Sequence, residues 1–184
     1  MPINNKSDIQ MNSWRGGVAA TAALLLTASA LATRITIPGT TVSLDVPAGF
    51  VNMPQSVIDS KYSRGGNPPS TVYSTPGPHW AVNIAFAIRN TALPAGNLAP
   101  VQAGLERSLQ GTPGFRWVSH GIVKSGSAEW IDLQFWVDGI DTPIYNHLRV
   151  TRQGQKTLIV TANVTKALYG RYGQTLDVAM NGLK

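Results

Sequence analysis

The sequence predicts an α+β fold, an antiparallel sheet with helices packed on it. Three observations carry that prediction. Apolar residues alternate with polar or small ones in short segments along most of the chain. Four such segments follow one another through short glycine turns towards the C-terminal end. Two further stretches repeat their apolar residues at helical spacing.

The first segment is of another kind. In "WRGGVAATAALLLTASALATR", Arg15 gives a positive flank, residues 16–32 carry no charge, and Ala30 and Ala32 place small residues where a signal peptidase reads them. These are the three parts of a secretory signal peptide. Residues 1–32 are therefore expected to be removed, the first ten being an extended n-region or, alternatively, Met11 being the true start. Residues 33–184 are expected to form one α+β domain beginning at Thr33. The run is short and weakly apolar for a spanning helix, which needs about 20 apolar residues, and an uncleaved anchor is the alternative reading.

After the cleavage point, "TTVSLDVPAGF" puts Val42, Leu44 and Val46 on one strand face, and Pro47-Ala48-Gly49 ends it. Pro54 opens a short helix reaching Tyr62, and residues 63–70 have the composition of a loop. "HWAVNIAFAIRN" aligns Trp80, Val82, Ile84, Phe86 and Ile88 on one face, opposite small residues that invite a close neighbour. Asn97 caps a helix with Leu98, Val101, Leu105 and Leu109 in one stripe, which Gly111 stops. Strands over 115–124, 128–137, 143–151 and 156–165 then form a meander through "KSGS", "DGID" and "RQGQ". Thr165 caps a last helix carrying Leu168, Tyr172, Leu176, Ala179 and Leu183. Gly170 and Gly173 weaken it by about 1 kcal/mol each relative to Ala, so it depends on packing.

Composition removes several function classes. Charged residues make up 13% of the chain, about half the usual share. The formal charge of +6 is spread over isolated arginines rather than a basic cluster with interleaved aromatics, which argues against nucleic acid as a partner. The absence of cysteine excludes disulfides, thiolate zinc sites, cysteine nucleophiles and a lipoprotein anchor.

The strand ending "DVPAGF", the middle helix, the meander and the run "TLIVTANVT" into "KALYGRYGQTLDVAMNGL" together resemble the PsbP-like superfamily over Val42 to Leu183. That group includes DcrB-type periplasmic proteins and the effector-associated chaperones of type VI secretion. The resemblance implies a PsbP-like fold and a non-enzymatic adaptor or assembly role. The chaperones are cytosolic, which the export signal here opposes.

Catalytic motifs are sparse. His79, His120 and His147 lack the spacing of a zinc protease, and neither a nucleophile elbow nor a phosphate-cradling glycine loop occurs. Ser119 and His120 are strand neighbours and point to opposite faces. Asp138 and Asp141 read as turn formers. No catalytic residue, metal site or cofactor is expected.

One strand stands out. Ile131, Leu133, Phe135 and Val137 make an apolar face, while Trp130, Asp132, Gln134 and Trp136 share the other. The next strand adds Tyr145, His147 and Arg149 to that second face, and Thr157, Thr161 and Asn163 would extend it. Two indoles among polar groups suit a recognition surface; the competing reading is that a helix covers them as second-layer packing. The expected function is an exported, non-enzymatic periplasmic protein that binds another protein, as a secretion accessory or an immunity-type protein. The alternative is a small-molecule or lipid-binding module, and a hydrolase with a spatially assembled site ranks last. After cleavage no stable membrane anchor is expected, and the sequence leaves the oligomeric state open.

Overall fold

The computed structural model describes residues 31–63, 68–77 and 79–184. The expected signal peptide falls outside the described residues except for Leu31 and Ala32. No helix among the described residues is long and apolar enough to cross a membrane.

Strands β1 (Thr33–Thr36) and β2 (Ser43–Val46) form a hairpin in which Thr33 pairs with Val46. Strands β3 (Val51–Asn52), β4 (Thr71–Ser74), β5 (Val82–Arg89), β6 (Arg116–Ser125), β7 (Ala128–Asp138), β8 (Pro143–Gln153) and β9 (Lys156–Thr165) build one antiparallel sheet. Its order is β3-β4-β5-β9-β8-β7-β6. The predicted meander is present as four adjacent strands, and β9 also pairs with β5, with Phe86 opposite Val160.

Both faces of the sheet are covered, by different partners. Helix α3 (Lys166–Asn181) and the β1–β2 hairpin close the larger core. There Val42, Leu44 and Val46 meet Ile84, Phe86, Val160 and Ala162 beneath Leu176, Met180 and Leu183. Each fully buried side chain of this size contributes about 1.5–3 kcal/mol. The chain is fastened behind α3: Ser43 N–H donates to the Lys184 carbonyl at 2.8 Å, and Lys184 N–H donates back to Ser43 at 3.2 Å.

On the second face, α2 (Ala99–Gln110) lays Leu98, Val101, Leu105 and Leu109 against Ile131, Leu133 and Phe135. The helix is capped at Leu98, one residue after the expected Asn97, whose side chain accepts from Ala99 N–H at 2.8 Å in a turn just ahead of the helix. Helix α1 (Gln55–Tyr62) packs Ile58 against Val72 and the small Ala85, the close approach expected from that side of β5.

Three further expectations are corrected. The strand predicted from His79 begins at Val82, because His79 and Trp80 both take positive φ, 87° and 47°. The reversal turns Trp80 away from the Val82 face, and it packs with Met53, Ile58 and Ala85 on the opposite side. Thr157, Thr161 and Asn163 do not extend the Trp130 face. The β8–β9 register sets Arg149 against Val160, His147 against Ala162 and Tyr145 against Val164, which leaves the three polar residues on the other face. Finally, the face carrying Trp130 is not open. It lies under α3, with Trp130 and Tyr145 in the larger core.

Candidate functional site

The residues singled out on β7 and β8 do come together, but beneath a helix. Antiparallel pairing sets Asp132 opposite Arg149, Gln134 opposite His147 and Trp136 opposite Tyr145. Arg149 Nε donates to Asp132 Oδ2 at 2.5 Å, and His147 Nε2 lies 3.2 Å from the same oxygen. The other imidazole nitrogen, Nδ1, lies 2.8 Å from Asp177 Oδ1 on α3. Tyr145 donates its hydroxyl proton to that Asp177 oxygen at 2.8 Å and sits 3.1 Å from the Gln134 amide. The remaining arms of Arg149 reach α3, with Nη1 to the Met180 carbonyl at 2.8 Å and Nη2 to Asn181 Oδ1 at 2.7 Å.

Burial is nearly complete, with His147 at 0%, Arg149 at 4% and Asp132 at 5% exposure. Ionised carboxylates only accept hydrogen bonds, so a ring whose two nitrogens both face carboxylates donates from both. His147 is therefore held as an imidazolium. Desolvation opposes that charge, but the hydrogen bonds and charges of Asp132 and Asp177 outweigh it and raise the His147 pKa. Desolvation likewise opposes the Asp132 carboxylate, and His147 and Arg149 together still hold it below the usual carboxylate range. With His147 protonated, two carboxylates balance two cations and the cluster is neutral.

An aromatic group borders the charges. Tyr169 of α3 packs 4.8 Å from Tyr145 and 5.0 Å from Trp136, ring centre to ring centre. Gly173 makes room for it: a Cβ there would come within 2.6 Å of the Tyr169 ring. The glycine that weakens α3 by propensity thus permits its closest packing. Trp130 Nε1 is buried with no hydrogen-bond partner, so Trp130 acts as apolar filling.

The network fastens α3 to the sheet. With both of its nitrogens donating, His147 has no lone pair for a metal or for general-base chemistry. Among the described residues, no group of three or more His, Asp or Glu is placed to hold a metal ion. Trp130, Asp132, Gln134, Trp136, Tyr145, His147 and Arg149 therefore do not form an exposed docking face; the helix occupies it.

The sequence reading missed Asp177. Its signal was position: Gly173, Leu176, Asp177 and Met180 follow the i, i+3, i+4, i+7 pattern, so the acid falls on the packed side. The other histidines are engaged elsewhere. His120 Nδ1 lies 2.7 Å from Glu106 of α2 and stacks on Trp117 at 4.5 Å. The His79 carbonyl accepts from Lys61 Nζ at 3.0 Å.

Open surface is found at the sheet edge. One edge is the two-residue β3; the other is β6, ten residues long, which among the described residues pairs only with β7. Val118 and Ile122 on β6 are 50% and 38% exposed, and the pairing slips at a bulge between Trp117 and Ser119. Arg116 and Lys124 stand near its ends, and it carries no acid.

With the topology and this geometry established, comparison with solved structures is decisive for the fold. Cyanobacterial PsbP (CyanoP) from Synechocystis sp. PCC 6803 superposes with a TM-score of 0.56 at 12% identity, over 84% of this chain and 92% of that one. The chain has the PsbP-like fold. LpqN of Mycobacterium tuberculosis, described as involved in cell envelope biogenesis, gives 0.53 at 18% identity, over 81% of this chain and 84% of its own. The Pseudomonas aeruginosa protein PA94 gives 0.51 at 13%, over 84% and 96%. No family model and no curated protein matches the chain. At these identities the PsbP-like likeness concerns architecture, and function has to be argued from the surface.

Proposed function

We propose that this chain is an exported, non-enzymatic accessory protein of the periplasm that binds another protein along the edge of β6. The free edge carries the reading. Along this ten-residue strand the backbone groups that do not pair with β7 point away from the sheet, and Val118 and Ile122 within it are exposed. An extended segment of a partner can add to such an edge, with main-chain hydrogen bonds giving affinity and alternate side chains giving specificity. Arg116 and Lys124, with no acid on the strand, favour a partner segment carrying Asp or Glu. The bulge and the lysine also restrain β6 from pairing with copies of itself. Export is supported by the uncharged run over 16–32 with small residues at 30 and 32. The non-enzymatic reading is supported by the His147 cluster, whose groups are spent on one another under α3. A secretion accessory and an immunity-type protein both fit this description, and a toxin gene beside this one would favour the second.

The test compares partners recovered by the wild type with those recovered by Val118→Asp and Ile122→Lys, whose side chains are exposed. A partner lost in both variants at unchanged melting temperature supports the reading. A partner retained by both, or no partner recovered by the wild type, overturns it.

A further inference from the structure

Gly121 lies in the middle of the edge strand β6. A glycine inside a strand weakens it, because backbone entropy is lost and no side chain packs; where one occurs, another chain or a ligand often comes close. Other glycines here have an internal reason. Gly126 and Gly154 take a left-handed backbone at φ +61°, and Gly173 makes room for the Tyr169 ring. Gly121 has neither. Its φ is not positive, and a Cβ built on it would meet no atom within 4 Å. The gap it leaves in the row of side chains faces outward.

The β6–β7 register says which way the gap opens. Gly121 pairs with Asp132 and Val123 pairs with Trp130, so both belong to the α3 side of the sheet. Helix α3 packs mainly over β8 and β9, which leaves Gly121 open between the exposed Ser119 and the half-buried Val123. The other side of β6 carries Ile122, paired with Ile131 and 38% exposed, and Lys124, paired with Glu129. Among the described residues Lys124 has no salt bridge to Glu129. Directly opposite residues of paired strands share a face, so each of these positions fixes what an added strand sets beside it.

We propose that the partner segment docking on β6 lays an aromatic side chain over Gly121. This rests on the docking reading above and gives that segment a sequence. Every strand of the sheet pairs antiparallel, and a segment continuing the pattern runs opposite to β6. The residue before its aromatic then faces Ile122, and the residue three before it faces Lys124. The pattern is acid, any residue, aliphatic, aromatic. A ring laid over a glycine at a sheet edge covers backbone otherwise left to water, which restores the stability the glycine gives up. Val123 supplies its apolar flank, the aliphatic residue covers Ile122, and the acid meets the lysine from the side away from Glu129.

The full-length protein, labelled with ¹⁵N, is titrated with the end-capped heptapeptide Thr-Glu-Thr-Val-Tyr-Thr-Thr and with the same peptide carrying Ala for Tyr. Amide shifts centred on residues 116–125 are expected from both, with the tyrosine peptide bound about fivefold tighter. Gly121→Val fills the gap; its Cβ meets no atom within 4 Å, so the variant should fold with an undiminished melting temperature. In that variant the two peptides should bind with equal affinity. If both bind the wild type equally, or if tyrosine is still preferred by Gly121→Val, the aromatic position is overturned while docking along β6 stands. If neither binds the wild type with a Kd of about 1 mM or tighter, the proposal and the docking reading fall together.

Discussion

Replacing His147 by Gln should change how stability depends on pH, and the direction follows from the geometry. The imidazolium sits between Asp132 on β7 and Asp177 on α3, with Arg149 beside it on β8 and the hydroxyl of Tyr145 on the Asp177 oxygen. Its pKa in the folded protein is raised, while in the unfolded chain it is about 6.5. A group raised in this way contributes its full stabilisation below the unfolded pKa. The contribution is lost as pH rises from about 6.5 through the folded pKa, at no more than about 1.4 kcal/mol per pH unit for one proton. The variant keeps a polar side chain of similar size but removes the charge, leaving Asp132 and Asp177 closer to mutual repulsion. Breaking a buried pair costs about 3–5 kcal/mol; because Asp177 is 28% exposed, the lower end, about 3 kcal/mol, is expected at pH 6. Urea unfolding at intervals between pH 5 and pH 9 measures both effects. The wild type should lose stability towards the alkaline end, and the variant should follow a flatter line that converges on it. Parallel curves with a constant offset would refute the imidazolium assignment, as would a ¹⁵N spectrum showing one bare ring nitrogen at pH 6.

Further outcomes follow from packing. Trp130→Ala should destabilise the domain by about 3–5 kcal/mol, since the side chain is fully buried and Nε1 has no bond to lose; a loss below about 1 kcal/mol in chemical denaturation would mean that α3 does not cover it. The two glycines of α3 should respond oppositely to alanine. Gly170 is open and should gain about 0.5–1 kcal/mol. Gly173→Ala should instead lose about 1 kcal/mol or more as the Tyr169 ring is displaced. Near-ultraviolet circular dichroism of the Trp136, Tyr145 and Tyr169 group would register that displacement, and an unchanged spectrum would contradict it.

Strand order within the meander, the helix starts at Pro54 and Thr165, and the stripe of α2 were all legible in the sequence, because each rests on local period and turn chemistry. The sense of the two sheet faces was not. Ile131, Leu133 and Phe135 looked like the core side because they are purely apolar, yet the longer helix covers the mixed side, where Trp130 and Tyr145 bring the larger volumes. Alternation along a strand shows that two faces differ; it does not say which helix lands on which. His147 and Arg149 looked like surface residues for the same reason. Their partners on α3 lie about 30 positions further on, Asp177 for His147 and Met180 and Asn181 for Arg149, beyond any local pattern. The left-handed pair His79 and Trp80 was hidden too, since nothing in an alternating run announces where the backbone reverses.

The stitching of Lys184 to Ser43 behind α3 has a bearing on how the chain is made. The larger core is roofed by Leu176, Met180 and Leu183, so an emerging polypeptide lacks its roof until the ribosome has released residue 183. Until then β5, β8 and β9 expose their apolar sides and the aspartate that charges His147 has not arrived. Closure of the larger core therefore waits for the last helix and the residues just behind it. A late-closing architecture of this kind leaves the nascent chain pliable enough to be threaded, and at the mercy of holdase chaperones while it waits.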